Sequence, residues 1–254
     1  MHGCVDGFSR VVVYLACNVD NTSATVLDLF RNAIASWGLP SRVRGDMGVQ
    51  NRDVARFMLF HEARDPGGGS YITGRSVHNC RIERLWRDVY QSVLSVFYDV
   101  FMGMEFDGVL DPDNENHIFC LHEVYKPTTN KMLNRFTDSW QNHKLRTARN
   151  KSPLQLFILG MQQIGRETGV LPNEYFETLT EPDIESYGFD GKADLPEEID
   201  ASEAVVVPET VCPLDEEALA IFRERLHFVQ DEDLGNTQPY LHALQILAAL
   251  INNA

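Results

Sequence analysis

The sequence predicts an α/β fold that ends in an acidic, helical C-terminal tail, and three observations support this prediction. Residues 11–17 are rich in β-branched side chains, which is typical of a strand. Residues 76–101 carry apolar side chains at spacings of three and four, the pattern of a helix with one buried face. Residues 167–254 hold 20 Asp and Glu but only 3 Lys and Arg, so the acidic charge lies at that end.

The predicted elements follow one another in a simple order. Residues 3–6 form a short extended run that leads through a turn at Gly7–Arg10 into the strand at 11–17. The capping residues 21–23 begin a helix that Gly38 ends. The patterns further along the chain predict a short strand at 40–44 and helices at 51–64, 76–101, 111–142 (interrupted near Pro127), 154–165, 215–229 and 237–251.

Charge and composition predict how the chain is divided. Residues 1–166 carry 19 Lys and Arg against 17 Asp and Glu, a net charge of +2, and form the expected core domain. Residues 167–213 are rich in Glu, Asp and Pro with few periodic apolar side chains, so we expect an acidic linker. Residues 214–254 form a helical segment whose apolar faces dock either on this chain or on a partner.

The composition also argues against several classes of protein. No apolar run of about 18 residues or more occurs, so no membrane span is expected. The 5 cysteines include no Cys-x-x-Cys pair, which indicates free thiols in an intracellular, reducing compartment instead of a disulfide framework or a zinc site. His117 and His122 diverge by about 140° on a helix, so they are poor co-ligands for a metal.

Two carboxylates are candidate metal ligands. Asp46 follows the short strand, and Glu83 lies on the shoulder of the buried stripe of the 76–101 helix, with 36 residues between them. A carboxylate after a strand and another on a later helix can supply the hard oxygen ligands that Mg²⁺ or Mn²⁺ prefers. The alternatives are a turn aspartate at position 46 and a surface glutamate at position 83 that pairs with Arg87.

Two groups of cations are candidate nucleic-acid contacts. Arg84 and Arg87 lie on the same helix as Glu83, where they would face DNA phosphate near the cleft expected between the two candidate carboxylates. The second group precedes the last core helix and consists of His143, Lys144, Arg146, Arg149 and Lys151. A solvated surface without a ligand is the alternative for both groups.

Four ordered motifs resemble the signatures of the integrase core domain. They are Val5-Asp6-Gly7-Phe8-Ser9-Arg10, Arg44-Gly45-Asp46-Met47-Gly48, the run from Asn79 to Asp88, and Trp140-Gln141-Asn142-His143 followed by the run from Asn150 to Leu156. The resemblance covers roughly residues 2–165 and is greatest to the transposon-derived integrase-like group of animal genomes. Several motifs in the right order are far more specific than any one of them.

This resemblance implies a ribonuclease H-like mixed sheet flanked by helices, and DNA strand transfer by an Asp-Asp-Glu triad with two divalent cations. By motif, Asp46 resembles the second carboxylate and Glu83 the third. The Trp-x-x-Asp-Gly-like stretch around the first carboxylate does not occur, so we expect the first strand to be missing and the triad to be incomplete. Asp6 either replaces the first ligand or, as we favour, fixes the Gly7–Arg10 turn.

Two hypotheses of function follow. The first is a nuclear, nucleic-acid-binding, integrase core-like protein that needs Mg²⁺ or Mn²⁺ if active, and whose strand-transfer activity is doubtful without the first Asp. The second is a non-catalytic scaffold whose acidic helical tail recruits a protein partner. Assembly into a homo-oligomer is compatible with either hypothesis.

Overall fold

The computed structural model describes residues 1–46, 48–63, 69–73, 80–168 and 210–252. Within these ranges the chain is mostly helical, with four short strands. The strands are β1 (His2–Val5), β2 (Val12–Ala16), β3 (Val43–Gly45) and β4 (Tyr71–Thr73). The α-helices are α1 (Ser23–Trp37), α2 (Arg52–Phe60), α3 (Cys80–Val89), α4 (Ser95–Phe106), α5 (Glu115–Asn142), α6 (Pro153–Thr168), α7 (Glu216–Arg225) and α8 (Gln238–Asn252).

The described strands pair in two separate sheets. β1 and β2 are antiparallel, with Gly3 opposite Leu15 and a register irregularity between Cys4 and Val5. β3 and β4 are parallel, with Arg44 opposite Ile72. The α/β class is therefore confirmed. The sequence did not predict β4, because three residues are too few to show an alternating pattern.

Helices α1 and α2 show where local sequence signals suffice and where they do not. α1 begins as predicted, because the side chain of Thr22 accepts a hydrogen bond from the Thr25 amide, and it ends before Gly38, whose φ of 86° is in the left-handed region. The predicted extension of α2 to residue 64 is wrong. The helix ends at Phe60, and His61 is extended, with φ −68° and ψ 133°.

The helix predicted over 76–101 is divided in the structure. α3 passes into a π-helical turn at Tyr90–Leu94 and then into α4, which continues to Phe106. Residues 76–79 lie outside the described residues. The interruption predicted near Pro127 is wrong, since α5 runs unbroken from Glu115 to Asn142.

The main hydrophobic core joins β2 and helices α3, α4 and α5 to the C-terminal helices. Phe222 and Tyr240 are fully buried in this cluster, and the ring of Phe222 lies 5.5 Å from that of Phe119 on α5. A second cluster packs α1 and α2 against Tyr71 of β4. The apolar faces of α7 and α8 therefore dock on this chain, which is the first of the two alternatives that the sequence left open for these faces.

Polar contacts also tie the C-terminal segment to α5. Arg223 donates two hydrogen bonds of 2.8 Å to the carboxylate of Glu123, and Thr128 donates one of 2.5 Å to the Val229 carbonyl. The division into residues 1–166, 167–213 and 214–254 stays a prediction, because most of the linker lies outside the described residues. Recruitment of a partner by the acidic tail likewise stays a prediction.

Candidate metal site and nucleic-acid interface

Asp46 is the first residue after β3 and is exposed. Its Oδ1 atom accepts a hydrogen bond of 3.0 Å from the Gly48 amide and one of 2.7 Å from Nδ2 of Asn51. These two donors hold one carboxylate oxygen in place, and Oδ2 accepts no hydrogen bond from any described residue. A fixed, exposed carboxylate of this kind is suited to binding a hard cation.

Tyr71 of β4 packs beside this aspartate. A Cβ atom at Gly45 would overlap the Tyr71 hydroxyl, so the position of the Tyr71 side chain requires glycine here. Burial raises the pKa of the Tyr71 hydroxyl, and the negative charge of Asp46 raises it further. The phenol therefore remains neutral. Tyr71 and Asn51 were missed by the sequence analysis. Tyr71 approaches Asp46 only after β3 and β4 pair, and the bond from Asn51 depends on the conformation of the short turn that follows β3.

Glu83 lies in the first turn of α3. The helical pattern predicted a half-buried side chain, but Glu83 is exposed. It forms no hydrogen bond or ion pair with any described residue. Arg84 and Arg87 are also exposed, and Arg87 lies 3.8 Å from Asp88 instead of pairing with Glu83. The helix is fixed from its other face, where Trp86 packs against Gly3 of β1.

Asp46 and Glu83 follow, along the chain, the two paired strands β3 and β4. Asp46 directly follows β3, whereas residues 74–79 separate the end of β4 from the start of α3. Within the described ranges, no group of three or more His, Cys, Asp or Glu side chains could hold a metal ion. The convergence of Asp46 and Glu83 on one cation therefore stays a prediction.

Asp6 occupies the turn between β1 and β2. Its Oδ2 atom accepts hydrogen bonds from the Ser9 amide at 2.7 Å and from the Ser9 hydroxyl at 2.6 Å. The turn closes with a 2.8 Å bond from the Asp6 amide to the Val11 carbonyl, and Arg10 adopts a φ of 68°. These are the contacts that a turn-fixing aspartate is expected to make.

The basic cluster before α6 forms a compact loop. Leu145 and Lys151 pair as an isolated bridge, with a 3.0 Å bond from the Leu145 amide to the Lys151 carbonyl. A short 3₁₀ turn and two left-handed residues, Arg149 and Asn150, complete the loop, while Leu145 is buried beneath it. The side chains that face solvent are those of His143, Lys144, Arg146, Arg149 and Lys151.

Arg10 connects this loop to the first turn of the chain. Its Nη1 atom donates a 3.0 Å hydrogen bond to the Thr147 hydroxyl, and its carbonyl accepts a 2.9 Å bond from the indole of Trp140. The basic loop is thus held against the β1–β2 turn. Arg10 was part of a motif in the sequence, but its contact with Thr147 spans most of the core domain and could not be predicted from spacing.

A family model described as "Integrase core domain" matches residues 1–169, about two-thirds of the chain. The chain belongs to the integrase core domain family. The matched range includes β1 to α6, so the C-terminal helices lie outside it although they share its core. Comparisons with curated proteins and with solved structures gave no significant match.

Membership of the integrase core domain family confirms the resemblance drawn from the four motifs. None of the described helices is long and apolar enough to cross a membrane. Among the described cysteines, Cys4, Cys17, Cys120 and Cys212 are all free thiols. Burial, together with the negative charge of Asp6, raises the pKa of Cys4 to about 12, so this thiol stays protonated at neutral pH.

Proposed function

We propose that this integrase core domain protein binds DNA through its basic loop and the exposed arginines of α3. The single observation that carries this proposal is the loop itself. It presents Lys144, Arg146 and Lys151 on a backbone fixed by internal hydrogen bonds, and none of the three forms an ion pair with a described residue. Cations arranged in this way bind phosphate and release condensed counterions.

The local charge supports the same proposal. Residues 139–166 contain five Lys and Arg and no Asp or Glu, so nothing in this stretch neutralises the loop. The acidic residues of the protein are concentrated elsewhere, in the C-terminal third. DNA would therefore meet the core domain on the side of the loop. Because DNA is the proposed partner, we propose a nuclear location.

We further propose that Asp46 and Glu83 hold Mg²⁺ or Mn²⁺. The residues fit such an ion, since both are exposed carboxylates and Asp46 is oriented through one oxygen only. A bound ion would act as a Lewis acid on a phosphodiester. We propose that the two sheets belong to a ribonuclease H-like arrangement. Strand transfer would need a third carboxylate, and Asp6 is already engaged by Ser9.

The binding of a fluorescent DNA duplex to the full chain tests the proposal. We expect saturable binding whose affinity falls as the salt concentration rises. Replacing Lys144, Arg146 and Lys151 by alanine together should weaken binding and lower the salt slope by about one for each phosphate that is no longer neutralised. Arg84→Ala and Arg87→Ala should have the same effect if α3 faces the duplex.

A matched control is Arg225→Ala, which removes an exposed cation from the acidic C-terminal segment. It should leave both the affinity and the salt slope unchanged. An equal decrease per cation removed in the loop variant and in this control would mean that net charge alone governs binding, and the proposed interface would be wrong. Absence of any salt-sensitive binding by the full chain would reject DNA as the partner.

A further inference from the structure

Helix α4 has two opposite apolar faces, and only one of them is covered by the described part of this chain. On the inner face, the rings of Phe97 and Phe101 lie 6.5 Å and 5.0 Å from the ring of Tyr125 on α5. On the outer face, Tyr98, Met102 and Phe106 are 55%, 47% and 91% exposed. These three residues, spaced by four, form one continuous row along the helix, which we call the α4 stripe.

Along the chain, the charges before and after the α4 stripe are of one sign. Residues 88–125 contain no Lys or Arg. The eight acidic residues in this range are Asp88, Asp99, Glu105, Asp107, Asp111, Asp113, Glu115 and Glu123. Asp99, Glu105 and Asp107 are exposed beside the stripe itself. An apolar row in acidic surroundings repels nucleic acid and anionic lipid, and it would place acid against acid if two copies met symmetrically through it.

From this complementarity we infer that the α4 stripe is a docking site for a cationic amphipathic helix of a partner protein. Apolar side chains at spacings of three and four on such a helix would pack on Tyr98, Met102 and Phe106, and its Lys or Arg residues would face the flanking carboxylates. This surface lies on a different helix from the proposed DNA contacts and has the opposite charge. A DNA-binding protein could therefore hold a basic partner at the same time.

Two other segments of the same chain do not have this chemistry. Residues 169–209 carry 12 Asp and Glu and a single Lys, so their sequence has the wrong charge. The basic loop has the right charge, but its large apolar residue, Leu145, is buried. Neither segment combines positive charge with an exposed apolar face, whether it comes from this molecule or from a second copy.

The probe for this site is a synthetic Lys/Leu peptide that forms an amphipathic helix, with a scrambled peptide of the same composition beside it. We expect the full chain to bind the helical peptide saturably and the scrambled one much more weakly. The double variant Met102→Ser, Phe106→Ser should bind the helical peptide at least about tenfold more weakly. Asp99→Lys with Glu105→Lys should also weaken binding, because the charge complementarity is then reversed.

The matched control is Ile158→Ser with Leu159→Ser on α6, because these residues are 48% and 42% exposed but lie on the helix that follows the basic loop. This variant should bind the peptide as the wild type does. All variants should melt at the wild-type temperature, since the replaced side chains are exposed. Equal affinity of the stripe variant and the wild type, equal binding of the scrambled peptide, or no saturable binding would overturn the proposal. So would a wild-type dimer that the stripe variant abolishes, because the occupant would then be a second copy.

Discussion

A single glycine leaves room for the Tyr71 side chain next to the candidate metal ligand. Gly45 lies where the Tyr71 hydroxyl leaves no room for a side chain, and Asp46 follows immediately. Gly45→Ala should lower the free energy of unfolding by about 1–3 kcal/mol, because the buried ring of Tyr71 must shift. Chemical denaturation with urea measures this. Gly7→Ala is the control, since nothing lies within 4 Å of a Cβ atom there, and an equal decrease in both variants would contradict the steric explanation.

The proposed cation site makes a prediction that does not depend on DNA. Asp46→Asn and Glu83→Gln should each weaken Mn²⁺ binding, because each removes an anionic oxygen. Asn51→Ala should weaken it about tenfold, since it removes the amide that orients Asp46. Titration calorimetry measures these affinities. Asp113→Asn, which removes an exposed carboxylate elsewhere, should have no effect, and unchanged affinity in the first two variants would contradict the assignment.

How far the site follows from the sequence differs from residue to residue. The carboxylates and the basic cluster could be chosen in advance, because strand ends, helical spacing and charge are local properties. The contact of Asp46 with Asn51 could not, since it depends on the exact conformation of one turn, and the contact of Arg10 with Thr147 could not, since it depends on how distant segments pack. The exposure of Glu83 also differs from prediction, because helical periodicity gives only the angle of a side chain and not what covers it.

At the scale of the elements, the start of α6 fixes one end of the basic loop. The Ser152 hydroxyl accepts a bond from the Gln155 amide at 3.3 Å, and the Gln155 side chain accepts one from the Ser152 amide at 3.0 Å. Ser152→Ala should therefore cost about 1 kcal/mol of unfolding free energy, measured by urea denaturation. Ser36→Ala, at an exposed serine inside α1, is the control. Equal stability of the Ser152 variant and the wild type would show that this cap is not stabilising.

The boundaries of the longer helices were less predictable than their existence. The π-helical turn at Tyr90–Leu94 adds residues without breaking the apolar pattern, so the sequence showed one helix where the structure has α3, a wide turn and α4. The continuity of α5 through Pro127 is the opposite case. A proline usually marks a break, but this one is exposed, and the buried residues before and after it, Val124 and Thr128, keep one face of the helix packed.

At the scale of the whole molecule, the stability should fall at mildly acidic pH. Burial, with a smaller contribution from Lys126, lowers the pKa of His122 in the folded state below its ordinary value of 6.5. Below pH 6.5 the unfolded chain therefore binds the proton more readily, and this destabilises the folded protein as the pH falls toward the folded pKa. Urea denaturation at several pH values measures the effect. His122→Gln should reduce the pH dependence, and an unchanged profile would contradict the assignment.

The C-terminal helices should unfold together with the matched family domain, because both contribute to one core. Asp231, whose side chain is 5% exposed, pairs with Lys131 at 2.8 Å and also with Arg135 on α5. Asp231→Asn should lower the free energy of unfolding by about 1–3 kcal/mol, because Lys131 and Arg135 then lose the carboxylate with which both form ion pairs. The decrease should shift one cooperative transition seen by both circular dichroism and tryptophan fluorescence, since all three tryptophans lie in residues 1–168. Asp233→Asn, at an exposed neighbour, should leave the transition unchanged. A separate early transition by circular dichroism alone would show that the tail unfolds independently.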